Sequence, residues 1–387
     1  MMKSLPKLRI AVLSRNFVAT GGGAERYSIA VVEQLAQQHE IHVFAQTIQH
    51  QHPSVTYHTV STPLRRPRWV NQLYFATATW WATRKGFDIV HSHENTWHGN
   101  VQTVHVLPVK YNLFHAREGL RRALRWLKVA TSPRLLVYLG LEKARYTVRN
   151  PRVIVSVSRT LNDVMLQTYP GAASAMQFIA PGIDSVPGLA TPEVKAAARK
   201  CLNLPVQGRC ILFVGNDFKK KGLPTLIQAA AQLPSDVYVA VAGQSAQLPE
   251  MQRAAAHAGL EGRLFFLGAV AAMHQAYSAA DCLVHPTLED TYAMVVLEAM
   301  AHGLPVVVSA ARYCGIAADL QNGVHALLLP DPRNVQELAQ GALAVLENSA
   351  LAERLSGAGL AFAKQHSWNN VALAHAVLYE KILLNTK

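Results

Sequence analysis

Charge is scarce in this 387-residue sequence: Asp, Glu, Lys and Arg supply 16% of it, against 50% hydrophobic residues. Disordered chains show the opposite balance, so disorder is excluded. Cysteine is rarer still. Cys201, Cys210, Cys282 and Cys314 form no CxxC pair, which removes a zinc ribbon and a disulfide framework and makes reduced thiols the expectation. No apolar run reaches the ~20 residues of a membrane-spanning helix. The opening MMKSLPKLRIAVLS passes from a short basic stretch into a strand-like run without a signal-peptide cleavage pattern, so a cytoplasmic protein is expected. Solenoid repeats and low-complexity tracts are missing.

Acidic residues are short in one half above all. Residues 1–155 hold 21 Lys and Arg against 7 Asp and Glu, whereas 156–387 hold 16 against 17. The N-terminal half should therefore meet something anionic: a membrane surface, a phosphorylated acceptor or nucleic acid. Nucleic acid is not the expected partner, because there is no aromatic RNP-like run and no Cys/His finger.

What is present is an alternation of short apolar runs and helical patterns. Strands are expected at 8–14, 41–45, 88–91, 101–106, 153–158 and 178–180, then at 211–214, 238–242, 264–267, 283–285 and 306–308. Strands alternating with helices give parallel sheets covered on both sides. Pro181-Gly182 and Pro187-Gly188 break the pattern, placing a linker near 182–208. The expected architecture is α/β: two Rossmann-like domains with parallel sheets and a cleft between them. One is 1–182, completed by an amphipathic helix in 368–387; the other is 183–367. Open sheets of this kind bind ligands beyond the carboxyl ends of their strands.

Three segments carry candidate chemistry. The first is PTLEDTYAMVVLEAMAHGLP, from Pro286 to Pro305, a polar loop with Glu289 and Asp290 leading into a helix with Glu298. Unpaired amides at a helix start suit a diphosphate, and a carboxylate accepts two hydroxyl bonds from a diol; a capping acid and a solvated helix Glu are the plainer alternative. The second is FVGNDFKKKG, from Phe213 to Gly222, where a strand ends at Gly215 and a loop holds Lys219, Lys220 and Lys221. A cation aimed at a departing diphosphate lowers its barrier; a solvated charge run is the alternative. The third is GGGAER, with Gly21–Gly23 between a strand and a helix. It lacks the GxGxxG spacing, and the second strand ends at Ala45 without an acid, which argues against a dinucleotide cofactor. His91, His93, His98 and His105 are dense, but with no helical i,i+4 pair and no nearby cysteine, zinc is not expected.

Taken in order along the chain, these segments resemble glycosyltransferase family 4. The family has two acids separated by seven residues, then a small-residue helix and Gly-x-Pro, as in Asp290, Glu298 and Gly303-Leu304-Pro305. The resemblance implies a GT-B fold and a retaining hexose transfer from a nucleotide-diphosphate sugar, with no metal and no cofactor. It also implies a front-side route in which the leaving diphosphate helps take the acceptor proton. Glu298 then holds the donor ribose. Asp290, where the family usually has Glu, contacts the donor sugar, or Glu289 does. The amides of Ala293 and Met294 serve the donor, with Ala293 standing where the family often has Gly. Lys221 matches the family's basic residue six after the strand-end glycine, here Gly215, with Lys220 beside it. Asn216 replaces a common Arg. Gly268 closes a further matching segment, RLFFLG. Gly22, Gly23 and Glu25 lie by the donor phosphates and the acceptor, and His105 contacts the transferred sugar as a neutral or cationic imidazole. The loop Gly215–Gly222 and Pro181-Gly182-Ile183 are similar to the subgroup acting on lipopolysaccharide core, which favours a UDP-sugar and an envelope glycolipid or oligosaccharide acceptor.

The acceptor half contains AREGLRRALRWLK, Ala116 to Lys128, expected as a helix with Arg117, Arg121, Arg125 and Lys128 on one face and Leu120, Leu124 and Leu127 on another. Such a helix suits peripheral contact with an anionic membrane; an ordinary packed surface helix is the alternative. Other activities open to the sequence are a GT-B epimerase or phosphorylase, a basic nucleic-acid binder, or an inactive sugar-nucleotide-binding protein.

Overall fold

Strands buried on both faces need continuous apolar runs, and RIAVL, RCILFV and VYVAVA supply them. In the computed structural model, which describes residues 7–18, 22–64 and 66–384, these runs lie within two parallel sheets. The chain divides into two compact units. The first runs to Gly182 and takes back the chain from Trp368; the second is Ile183–Ser367.

The first unit has a seven-stranded sheet. Its spatial order is Val55–Thr59, Glu40–Ala45, Arg9–Leu13, Ile89–Ser92, Val101–Val104, Val153–Ser156 and Met176–Phe178, all parallel. The strand order reverses beside Arg9–Leu13. The closing helix, Trp368–Leu384, packs on the helix Gly23–Leu35. Trp368 meets Tyr27 edge-on at 5.4 Å, and Tyr379 and His375 hydrogen-bond into the same core.

The second unit has six parallel strands in the order Leu264–Gly268, Val237–Ala242, Arg209–Val214, Cys282–His285, Val306–Ser309 and Leu327–Leu329. Here the order reverses between Arg209–Val214 and Cys282–His285. Their carboxyl ends are Val214 and His285, and the crevice at such a reversal is where ligands bind.

Two expectations need correction. The stretch 182–208 is not a plain linker. It contains the helix Pro192–Cys201, capped by the Thr191 hydroxyl and locked to the second unit by ion pairs from Lys195 and Arg199 to Asp281, both at 2.7 Å. Four strands were also unforeseen: Asn16–Val18 and Thr47–Gln49, which pair with each other, the polar edge strand Val55–Thr59, and the three-residue Leu327–Leu329. None offers a long enough apolar run to read as a strand. All four cysteines are free, and Cys210, Cys282 and Cys314 are buried. Among the described residues no helix is long and apolar enough to cross a membrane.

Candidate functional site

At the carboxyl end of the strand Arg209–Val214 the backbone turns into the loop 215–222. A Cβ added to Gly215 would lie 2.8 Å from Cγ of Lys221, so the missing side chain is what lets the lysine stem lie across the strand end. Gly243 sits just as close to this turn: a Cβ there would fall 2.1 Å from the Gly215 carbonyl, and its φ of +137° is open only to glycine. The Asn216 side chain accepts from the Gln244 amide at 3.0 Å, and Gly268 accepts from the Gly243 amide at 2.8 Å. Gly215, Asn216 and Gly268 thus belong to one set of strand-end turns.

Lys221 is clamped. Its Nζ donates to Asp290 at 2.5 Å, with the two side chains 21% and 18% exposed. Asp290 in turn accepts from His285 Nε2 at 3.3 Å and from the amides of Ala293 at 3.0 Å and Tyr292 at 3.4 Å. Burial pushes the Asp290 carboxyl up, but its bonds to His285 and Lys221 outweigh this and hold it well below the ordinary carboxylate range. His285 is fully buried, which lowers its imidazole against the pull of Asp290. The result is one fixed cation, partly open to solvent, at the strand reversal.

This differs from the expected roles in two ways. Both oxygens of Asp290 are already engaged within the protein, so the residue positions Lys221 and caps the next turn. The Ala293 amide, expected for a ligand, is taken by Asp290. Ala293 holds φ +71° and ψ +68° just before the helix Met294–Ala301, a left-handed conformation costing an L-residue roughly 1–2 kcal/mol. Met294 is the first residue of that helix. Glu298, half-buried in its second turn, accepts from the Tyr277 hydroxyl at 2.6 Å. Glu289 pairs with Lys220 at 2.6 Å on the exposed rim, and Lys219 with Glu250 at 2.7 Å. His285, Tyr277 and Gly243 were not singled out from the sequence; His285 could have been, as the histidine closing a strand just before Pro286.

In the first unit, Gly22 precedes the helix Gly23–Leu35 and its carbonyl accepts from the Arg26 amide at 3.1 Å, with Glu25 in the first turn. Gly21 lies outside the described residues. His105 follows the strand Val101–Val104 and is half-buried. Its Nε2 is 2.9 Å from His93 Nδ1, and Tyr27 meets the ring edge-on at 5.1 Å. Burial, reinforced by the nearby Arg145 guanidinium, pushes the His105 imidazole down to about 3. It is neutral at physiological pH, which corrects the cationic option. His91 and His93 hydrogen-bond within the protein, and among the described residues no group of three His, Cys, Asp or Glu is placed to hold a metal.

The basic helix is shorter than expected, Gly119–Ala130. Arg117 precedes it and donates to the carbonyls of Asn112 and Leu113, so it is not on the face shared by Arg121, Arg125 and Lys128. Ala116 and Gly119, at φ +55° and +50°, break any helical run through 116–118. The leucines are not packed inward: Leu120, Leu124 and Leu127 are 76%, 57% and 63% exposed.

Two family models match the chain. Residues 21–186 match Glycosyltransferase Family 4, and residues 194–361 match Glycosyl transferases group 1. Among curated relatives, the phosphatidyl-myo-inositol mannosyltransferase of Mycobacterium tuberculosis is 29% identical over 315 residues, 78% of this chain and 76% of that one. The D-inositol 3-phosphate glycosyltransferase of Mycobacterium leprae is 31% identical over 211 residues, 52% of this chain; the match spans about half of that relative's length (48%). Among solved structures, WaaG, a glycosyltransferase involved in lipopolysaccharide biosynthesis, superposes with a TM-score of 0.80 at 19% identity, covering 95% of this chain and 98% of that one. Anabaena HepE, solved with UDP and glucose, gives 0.76 at 18% identity, with the same coverages. The fold is therefore GT-B, and the chain spans about half the length of the first curated relatives it matches, 56% and 48%. The first unit is thus similar to Glycosyltransferase Family 4 and the second to Glycosyl transferases group 1.

Proposed function

We propose that this enzyme transfers a hexose, with retention, from a UDP-sugar to a glycolipid or oligosaccharide of the cell envelope, lipopolysaccharide core being the favoured acceptor. The observation that carries the donor half is the Lys221–Asp290 clamp at the strand reversal, beside glycine turns that bring bare backbone to the same place. As the sugar bond breaks, negative charge grows on the diphosphate, and a cation already held in position stabilises it without reorganising. Glu298 holds the nucleoside ribose in this reading, and Glu289, Gly268 and the helix opening at Met294 complete the donor side. Gly22, Gly23, Glu25 and His105 serve the transferred sugar and the acceptor. The diphosphate itself helps take the acceptor proton, so neither metal nor cofactor is required. HepE, the relative in fold solved with UDP and glucose, supports the choice of UDP. The test is a thermal-shift and turnover panel of UDP-, GDP- and ADP-hexoses. A UDP-hexose should raise the melting temperature and release UDP with a lengthened acceptor; stabilisation by GDP- or ADP-sugars alone, or an isomerised donor, would overturn the reading.

The acceptor half rests on the exposed helix. Arg121, Arg125 and Lys128 alongside three solvent-facing leucines and Trp126 suit the headgroup boundary of an anionic membrane, where the protein sits peripherally at the cytoplasmic face. Binding to vesicles containing anionic lipid should exceed binding to neutral vesicles. Serine at Leu120, Leu124 and Leu127 together should weaken it at least tenfold at fixed salt, since each leucine buries up to about 1.5–3 kcal/mol of apolar surface. Equal sedimentation of the triple variant would contradict the proposal.

A further inference from the structure

The first unit buries an uncommon concentration of imidazole. His91 bridges the Tyr379 hydroxyl (2.7 Å from Nδ1) and the Thr103 hydroxyl (2.6 Å from Nε2). His375 Nε2 meets the Tyr27 hydroxyl at 2.8 Å. His93 stacks on His105, with ring centroids 5.2 Å apart and planes at 17°, and its Nδ1 is 2.9 Å from His105 Nε2. The charged group acting on His91, His93 and His105 is the Arg145 guanidinium, which donates to the Gln102 side chain and the Thr103 carbonyl in the strand leading to His105.

A neutral imidazole carries one proton, so in the His93–His105 pair one ring donates and the other accepts. Which does so is decided at the far nitrogen of His93. Its Nε2 is buried and has no hydrogen-bond partner among the described residues. If His105 donated, His93 would carry its proton on that orphaned Nε2. If His93 donates through Nδ1, the orphan is a bare lone pair. A buried donor without an acceptor is the rarer and costlier arrangement, and the neighbouring Arg145 cation favours a lone pair over a second positive dipole end.

We infer that His93 sets the tautomer of His105, donating to its Nε2 so that His105 carries its own proton on Nδ1. The consequence is chemical. With Nε2 occupied and Nδ1 protonated, His105 has no free lone pair. It acts as a hydrogen-bond donor toward an oxygen, such as a sugar hydroxyl, and cannot take a proton from an acceptor. His93 is thus a positioning residue. The link to catalysis rests on the proposal that His105 meets the transferred sugar; the tautomer itself does not.

The experiment has two arms. Long-range proton–nitrogen correlation spectra of 15N-histidine-labelled protein, with His105→Gln used to assign the resonance, should show a protonated Nδ1 and a bare Nε2 on His105. His93→Phe should blur or reverse this pattern, while His93→Asn, whose amide places a donor where Nδ1 was, should keep it. In turnover, His93→Phe should lower kcat about tenfold with little change in donor KM, the loss of a single directed hydrogen bond, and His93→Asn should restore most of it. A proton found on His105 Nε2 in the unaltered protein overturns the inference, as does a His93→Phe protein with an unchanged His105 spectrum. If the spectra come out as expected but His105→Gln turns over normally, the tautomer stands and the role of His105 at the sugar falls.

Discussion

Replacing Lys221 with alanine should reduce kcat by about 10²–10³, the usual cost of removing one preorganised charge-stabilising group. The Nζ is held by Asp290 at 2.5 Å, and Asp290 is held by His285 and two backbone amides, so the cation's position is set before any ligand arrives. Charge positioned in advance acts on the transition state more than on the bound donor, so kcat should fall more than donor KM rises. The fold should survive, because Asp290 keeps three other donors. Lys219 is the control: half-exposed and paired with Glu250 on the surface, its alanine variant should change turnover less than threefold, in line with the small worth of exposed pairs of roughly 0–1 kcal/mol. Steady-state kinetics on the two variants decide the matter. Equal activities would show that the lysine run is merely a solvated loop.

The second large effect is on stability. Acid should unfold the first unit well before carboxylates of the ordinary range are protonated. Burial lowers His91 and His93 well below the ordinary value of 6.5, and His105 and His375 to about 3. In the unfolded chain these rings take up protons as pH falls through 6.5, while in the folded unit they do not. The unfolded state then binds more protons, so stability decreases as pH falls from about 6.5 toward 3. For the two fully buried rings, His91 and His375, the loss reaches about 2 kcal/mol each by pH 5. Glu94, whose carboxyl is raised by burial, works in the opposite sense: above its ordinary 4.5 the folded unit holds a proton that the unfolded chain gives up, so this one group partly offsets the four histidines as pH falls toward 4.5. The measurement is convenient because all six tryptophans lie in the first unit. Urea midpoints followed by tryptophan fluorescence should drop markedly between pH 7.5 and pH 5. A midpoint that holds or rises would mean that the histidine core opens to water.

The sequence by itself determined the two sheets and the segments that line their carboxyl ends. Runs such as RCILFV and VYVAVA are long enough and apolar enough to be buried on both sides, and turn glycines at Gly215 and Gly222 follow the first of them. It also located Glu289, Asp290, the lysine loop and His105, because those residues sit within a few positions of strand ends. Only the tertiary structure decided what each does to its neighbour. Lys221 and Asp290 are 69 residues apart in sequence and Glu298 and Tyr277 are 21 apart, so no local period relates them. Likewise the leucines of Gly119–Ala130 show the same helical spacing whether they pack inward or face solvent. His375 and Tyr379 read as parts of a plain amphipathic helix until it closes on the first unit, placing their hydrogen bonds 348 and 288 residues from Tyr27 and His91. Spacing along a chain encodes which face a residue takes; which partner meets that face is settled only when distant strands and helices are brought together.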